Sequence, residues 1–321
     1  MPDNRFALLC CLTLSVLLSG CEQGKAPSSS REVARQGAYS MQFSHSGQHV
    51  MVGSLHHGGS LWSLAPFERR YDWNHMAEGY SNLTSLAFSP QDQYVATTDL
   101  RTIVLWQLEN GEAVWFWNAP GDIEDIALGP NGDFALLAMQ DYTATLFDSK
   151  NGGILRRLAH DGIVYDVSLS SNGLLAASAS DDLTAKVWNL QNGEQLQSFE
   201  HANQVRTAEL SAKGDVLFTS AMSSSGKLWD VRSGQLLHKL GNTRGYFSAA
   251  RFDDNGRQLL TGTTSGLISL WDVSSGKLVQ QWHAEQRDSW VNKSVVIEDV
   301  AFIAGGYRAA GANGLVFELQ K

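Results

Sequence analysis

Residues 158–190 read LAHDGIVYDVSLSSNGLLAASASDDLTAKVWNL. Apolar and polar residues alternate in three short runs within this stretch, and turns rich in Ser, Asn, Gly and Asp separate the runs. A period of two between such turns is typical of short antiparallel strands. The stretch therefore predicts three consecutive strands, the last of which ends at Val187-Trp188-Asn189.

The end of this stretch recurs along the chain as an apolar residue followed by Trp or Phe, here called the repeat aromatic. The repeat aromatics are Trp62, Trp106, Phe147, Trp188, Trp229, Trp271 and Phe317. Successive members are 44, 41, 41, 41, 42 and 46 residues apart. This period resembles that of the WD-repeat family, about 40–45 residues, in which each repeat forms one four-stranded blade of a propeller. The sequence predicts an all-β, seven-bladed propeller of antiparallel blades over residues 31–321.

Four side chains of residues 158–190 resemble those of the WD-repeat (WD40-type) family: His160, Ser178, Asp182 and Trp188. The resemblance implies that they form a hydrogen-bonded set within one blade. The chemistry agrees, because Trp only donates, Asp only accepts, and His and Ser link the two. We expect only this repeat to keep the full set, since the repeat ending at Trp106 has its turn Asp without a matching His.

Closure of the ring is predicted from the two ends of the propeller sequence. The last repeat has a third strand at 316–319, followed by two residues. A blade of three strands exposes an unpaired edge. The WD-repeat resemblance implies that an N-terminal strand fills this place, and the segment Ser30–Gln36 is the one in position to do so.

The first twenty residues have the features of a signal peptide. Arg5 precedes the apolar run Phe6–Leu18, which is too short to span a bilayer comfortably. The following Leu18-Ser19-Gly20-Cys21 resembles the bacterial lipoprotein signal, in which the Cys becomes the first residue and carries lipid. The alternative is an ordinary signal peptide with an incidental Cys. Residues 21–30, rich in Gly, Ser and Pro, are predicted to form a flexible tether.

This resemblance implies a location in the bacterial cell envelope, with the membrane bound through lipid on Cys21. Glu22 rather than Asp follows the Cys, which favours the outer membrane, facing the periplasm. The chain has three cysteines, and Cys10 and Cys11 fall within the predicted signal peptide. The propeller itself therefore has neither a disulfide nor a thiol.

The net charge of −9 and the pI near 5.4 oppose a nucleic-acid partner, because phosphate contacts need clustered Lys and Arg. The sequence contains no motif of a metalloprotease, a serine hydrolase, a phosphate loop or a calcium loop. His45, His49, His56 and His57 form the one histidine cluster. Their turns are expected at opposite ends of a strand, and two histidines are too few for a closed zinc site. No catalytic, cofactor or metal site is predicted.

The WD-repeat resemblance implies that partners dock at the start of the inner strands, around the central channel. The aligned and flanking positions are Tyr39, Thr84, Glu124, Tyr165, Arg206, Tyr246, Ser248 and Glu298. Tyr and Arg are enriched among residues that dominate binding energy.

The expected function is thus a non-catalytic protein-interaction scaffold whose partners are other envelope proteins. The alternative is a propeller enzyme, or a small-ligand or metal binder, that uses the channel. Against it, no convergent His, Asp and Glu set is recognisable at the channel end.

Overall fold

The computed structural model describes residues 24–76, 79–242, 245–285 and 295–321, and it contains seven four-stranded antiparallel sheets. Each sheet is one blade of a closed ring, which confirms the predicted all-β seven-bladed propeller. The predicted signal peptide and the predicted lipid site at Cys21 lie outside the described residues. Within the described ranges, no helix is both long and apolar enough to cross a bilayer.

In blades 1 to 6 the four strands follow each other in sequence from the channel to the rim. Blade 1 contains β2 (Ala38–Phe43), β3 (His49–Ser54), β4 (Gly58–Leu64) and β5 (Phe67–Trp73). Blade 2 contains β6 (Ser85–Phe88), β7 (Tyr94–Thr98), β8 (Thr102–Gln107) and β9 (Ala113–Asn118). Blade 3 contains β10 (Ile123–Leu128), a 3-10 turn (Pro130–Gly132), β11 (Phe134–Met139), β12 (Thr143–Asp148) and β13 (Ile154–Ala159).

The second half of the ring repeats this arrangement. Blade 4 contains β14 (Val164–Leu169), β15 (Leu175–Ser180), β16 (Thr184–Asn189) and β17 (Glu194–Glu200). Blade 5 contains β18 (Val205–Leu210), β19 (Val216–Ala221), β20 (Ser225–Asp230) and β21 (Leu236–Asn242). Blade 6 contains β22 (Phe247–Phe252), β23 (Gln258–Thr263), β24 (Leu267–Asp272) and β25 (Lys277–His283).

Blade 7 is built from both ends of the described chain. Its strands are β26 (Ile297–Ile303), β27 (Gly306–Gly311), β28 (Leu315–Gln320) and, on the outside, β1 (Ser29–Glu32). The predicted closing strand is confirmed, but it begins one residue earlier than expected and ends at Glu32. It stops there because the next two residues turn inward and pack in the apolar cluster between blades 7 and 1.

The segment predicted as a tether lies against the ring from Gly24 onward. Lys25 forms a parallel β-bridge with Trp282 of blade 6, four residues before β1 begins in blade 7 at Ser29. This contact depends on two distant segments meeting in space, so the local composition of residues 21–30 gave no sign of it.

The described core is divided among the junctions between blades. Seven buried apolar clusters each combine side chains of two neighbouring blades. The repeat aromatic Trp188, for example, packs with Leu136 and Leu146 of blade 3. Burial of apolar side chains therefore joins neighbouring blades. Polar residues lie instead at the strand ends around the channel.

Candidate functional site

The inner strands of the seven blades surround a central channel of about 460 Å³. We call the end at which these strands begin the channel mouth. Seven of the eight predicted docking residues line the channel: Thr84, Glu124, Tyr165, Arg206, Tyr246, Ser248 and Glu298. Tyr39 lies at the start of β2 and is 46% exposed, but it is not among the residues that line the channel.

Three of these side chains form an aromatic–cation cluster at the mouth. The guanidinium carbon of Arg206 lies 3.8 Å from the ring centre of Tyr165 and 5.4 Å from that of Tyr246. The hydroxyl of Tyr165 donates a hydrogen bond to Asp181 Oδ1 at 3.2 Å. Burial and the charge of Asp181 raise the pKa of Tyr165, so the hydroxyl stays protonated. The cluster is half-buried, and its non-covalent contacts hold the Arg206 side chain in one position.

Two carboxyl groups share the mouth with Arg206. Glu124 accepts a hydrogen bond from Gln140 Nε2 at 2.6 Å. Burial, helped by the charge of Asp299, raises the pKa of Glu298 to about 7. Since the pKa of Glu298 lies near neutrality, the charge of the mouth changes within the physiological pH range.

Deeper in the channel, a hydrogen bond joins the inner strands at every blade junction. One side chain from each inner strand bonds to the next blade, and we call these bonds the junction latches. They are Ser40 Oγ to Leu83 O (2.8 Å), Ser85 Oγ to Asp125 Oδ1 (2.7 Å), Val167 N to Asp125 Oδ2 (3.2 Å), Ala208 N to Asp166 Oδ2 (2.7 Å), Thr207 Oγ1 to Phe247 O (2.6 Å), Ser248 Oγ to Ile297 O (2.7 Å) and Phe43 N to Asp299 Oδ2 (2.7 Å). A ring closed by polar bonds as well as by apolar contacts resists opening at the channel.

The latches place several carboxyl groups together inside the channel. Burial raises the pKa of both Asp125 and Asp166, and the charge of Asp125 adds to the rise at Asp166. Burial also raises the pKa of Glu209 to about 8. Arg251 donates to Asp299 Oδ2 at 2.8 Å and supplies a compensating positive charge. These channel carboxyl groups were not recognised from the sequence.

The chemistry available to these carboxyl groups is limited by the latches. Asp125, Asp166 and Asp299 each accept a backbone N–H of the neighbouring blade, so their oxygens are committed to structure. In the part of the chain that the structure describes, no group of three His, Cys, Asp or Glu residues is arranged to hold a metal ion. These three aspartates therefore hold neighbouring blades together.

The predicted histidine cluster is dispersed. His45 Nε2 lies 3.1 Å from Asp254 Oδ1 of blade 6. His57 lies in the turn beyond the opposite end of β3, where its ring packs edge-on against Tyr80. The four residues are thus divided between the two ends of β3.

A sequence signal for the latches was present. The residue after each predicted docking position except the flanking Tyr246 is Ser40, Ser85, Asp125, Asp166, Thr207, Ala249 or Asp299. Six of these seven are polar, in strands where Asp is normally rare. Blade 6 has alanine at this position, and the preceding Ser248 makes the bond. An aligned column of small or acidic residues on inner strands therefore marks the latches.

The four predicted side chains of blade 4 form one hydrogen-bonded set. Trp188 Nε1 donates to Ser178 Oγ at 2.8 Å, and Ser178 Oγ lies 2.7 Å from His160 Nε2. His160 Nδ1 lies 2.7 Å from Asp182 Oδ2. The bonds to Thr184, Asp161 and His160 lower the pKa of Asp182 to about 2 despite its burial.

A second complete set is present in blade 2, contrary to expectation. His75 Nε2 lies 2.8 Å from Thr97 Oγ1, which also accepts the Trp106 indole N–H at 2.8 Å. His75 Nδ1 lies 3.4 Å from Asp99 Oδ2. The expectation failed because His75 stands 31 residues before its Trp, whereas His160 stands 28 before. A longer loop between blades 1 and 2 accounts for the difference.

Three stretches of the chain match the family model described as WD domain, G-beta repeat: residues 74–107, 152–189 and 234–272. The first two contain the complete sets of blades 2 and 4. The ring and these matches together support the WD40 β-propeller family. A WD40 propeller is commonly a protein-interaction scaffold. No curated protein matches the chain.

Proposed function

We propose that this protein is a non-catalytic docking platform for other proteins of the bacterial envelope. In this proposal lipid on Cys21 holds it at a membrane, the outer membrane, and the propeller faces the periplasm. The WD40-type ring supports the docking role, and the lipoprotein-like sequence Leu18-Ser19-Gly20-Cys21 supports the anchoring.

The observation that carries the docking role is the placement of Arg206 between Tyr165 and Tyr246 at the channel mouth. Tyr and Arg contribute most to binding when they are already held in their bound positions. Ordering a free arginine side chain on binding costs about 0.5–1.5 kcal/mol, and the two tyrosine rings remove part of that cost. The cluster offers a partner both a planar cation and two aromatic edges.

The rigidity of the mouth also supports docking. Each inner strand is bonded to the next by a junction latch, and the apolar clusters join the blades behind the latches. A surface that does not rearrange loses little free energy on association.

A crosslinking pull-down from native envelope tests the proposal. The variants Arg206→Ala and Tyr165→Ala are compared with Arg232→Ala, which changes an exposed arginine at the opposite end of the same blade. We expect the same envelope protein to be recovered with the wild-type chain and with Arg232→Ala, and to be lost with the two mouth variants. Recovery that is equal for all four chains overturns docking at the mouth.

The channel alternative gives a different outcome in the same preparation. If no envelope protein is recovered and mass spectrometry of the native protein finds a stoichiometric small molecule or metal, the docking role is overturned in favour of a ligand-binding channel.

A further inference from the structure

The N-terminal segment is fixed to the rim of blade 6 before it completes blade 7. Lys25 N donates to Gln281 O at 2.9 Å, and His283 N donates to Lys25 O at 3.0 Å. Farther along, Ser28 N donates to Glu318 O at 2.9 Å. The segment therefore connects the outer strand of blade 6, β25, with β28 of blade 7, and its described part starts at blade 6.

Gly24 is required for this contact. A Cβ atom at this position would lie 2.8 Å from the carbonyl carbon of Trp282. That is closer than carbon atoms approach in protein interiors, where the best separation is about 3.5–4.0 Å. A larger residue would push the segment off the rim of blade 6.

The remaining chain between this contact and the proposed lipid site is short. Cys21 is three residues before Gly24. Three extended residues reach about 11 Å at most. The acyl chains thus start within that distance of the blade 6 rim, whereas a free ten-residue tether would allow about 33 Å.

The rim at this point has groups suited to a lipid surface. On β25, Leu278 and Val279 are 41% and 54% exposed, and exposed Lys277 precedes them. Gln280 Nε2 donates to Gln320 O, which brings the exposed Lys321 alongside. Outer strands of other blades also present aliphatic side chains, so the position of the N-terminal segment is what selects blade 6.

We propose that the rim of blade 6, formed by Lys25, Lys277, Leu278 and Val279, rests on the lipid surface and orients the ring edge-on to the membrane. The proposal rests on the lipid anchor of the proposed function. In this orientation the channel mouth opens sideways along the membrane, where partners anchored in the same leaflet can reach it. Blade 2, nearly opposite in the ring, points away from the lipid.

The test uses the lipidated full chain in vesicles that carry nitroxide lipids. The only cysteines are Cys10, Cys11 and Cys21, so in the processed and acylated protein an introduced cysteine is the sole free thiol. Val279→Cys on blade 6 is compared with Val114→Cys on β9 of blade 2, where the valine is 50% exposed. Each variant is labelled with an environment-sensitive fluorophore.

We expect the label at position 279 to be quenched several-fold more strongly than the label at position 114. Adding Gly24→Val to both variants should leave the ring closed by β1 and reduce this difference.

If the protein floats with the vesicles and both labels are quenched equally, or if Gly24→Val changes nothing, the edge-on orientation is overturned and the lipid anchor stands. If the protein does not float and its mass shows no lipid, the anchor is overturned and the orientation with it. The pull-down at the channel mouth is decided separately from either result.

Discussion

Blades 4 and 5 have the same fold and the same His and Trp positions, but they differ in one carboxylate, which is present in blade 4 and absent from blade 5. In blade 4, His160 is bonded through both ring nitrogens, to Ser178 and to Asp182. In blade 5, His201 Nε2 lies 3.0 Å from Thr219 Oγ1, while its buried Nδ1 has no partner among the described residues.

The carboxylate of blade 4 also makes the pKa of its histidine differ from that of the histidine in blade 5. Burial and the nearby Lys227 lower the pKa of His201 to about 4. Burial also lowers the pKa of His160, but the charge and hydrogen bond of Asp182 act in the opposite direction. Blade 5 keeps its fold although its hydrogen-bonded set is incomplete. The apolar packing between neighbouring blades is therefore what stabilises each blade.

The largest effect is expected from removing the carboxylate of blade 4. Asp182→Ala leaves four donors without this acceptor: the ring N–H of His160, the backbone N–H of Asp161, and the backbone N–H and hydroxyl of Thr184. We expect the free energy of unfolding to fall by about 3 kcal/mol. Urea denaturation measures it.

The matched control is Asp181→Ala in the same turn, where the carboxylate accepts from the partly exposed Tyr165 hydroxyl. It should cost about 1 kcal/mol or less. Equal losses in the two variants would mean that the hydrogen-bonded set contributes nothing beyond the turn.

A pH dependence of stability should separate the two blades next. The pKa of His201 is about 4 in the folded ring and about 6.5 when unfolded. A depressed histidine pKa means that the unfolded chain binds the proton first, so stability is lost as the pH falls from 6.5 to 4. The expected loss from His201 is about 2–3 kcal/mol.

The measurement is a series of urea midpoints between pH 7 and pH 4. His201→Leu should show a shallower decline than the wild type over this window. A parallel decline in the two proteins would show that other groups cause the pH dependence.

Replacing each histidine by leucine sharpens the comparison further. His160→Leu removes two bonds and leaves Asp182 without its ring partner, so we expect a loss of about 2–3 kcal/mol. His201→Leu removes one bond and also the unpaired nitrogen, and should change stability by about 1 kcal/mol at neutral pH. Chemical denaturation at pH 7.5 compares the pair, and a costlier His201→Leu contradicts the account.

The smallest effect is expected from restoring the missing acid. Ser223 aligns with Asp182, but it has a positive φ of 51°, whereas in blade 4 the positive φ belongs to the next residue, Leu183. The turn of blade 5 therefore directs this side chain differently. Ser223→Asp should change stability by less than about 0.5 kcal/mol, as is usual for a substitution outside the core. A clear gain, with a raised His201 pKa measured by NMR, would show that the turn resets.

Much of the fold was predictable because its signals are periodic and local. The repeat aromatics fixed the number of blades, and the three-strand end of the last repeat indicated closure by an N-terminal strand. The limits of that strand were less accurate, since the inward turn after Glu32 depends on packing between blades 7 and 1. The contact of Lys25 with blade 6 was missed for the same reason, as it joins segments far apart in sequence.

The residues around the channel mouth were predicted from the repeat alignment, and the contacts between them were missed. The channel mouth contains the aligned positions, yet nothing in the sequence showed that Arg206 lies between two tyrosine rings. The channel carboxyl groups escaped notice because a polar residue in an alternating strand is normally taken to face water. In a propeller, the polar side chains of the inner strands point toward the inner strands of the neighbouring blades.

Blade 7 contains the first strand of the described chain and the last, and this fixes the timing of its assembly. A ribosome releases β1 long before β28, its partner, exists. Until the C-terminus is complete, the chain is a row of blades with open ends and exposed apolar faces, a state prone to aggregate. Pairing between strands as far apart in sequence as β1 and β28 is also slow. Such a chain is therefore exposed to aggregation for longer than one whose terminal strands pair with near neighbours in sequence.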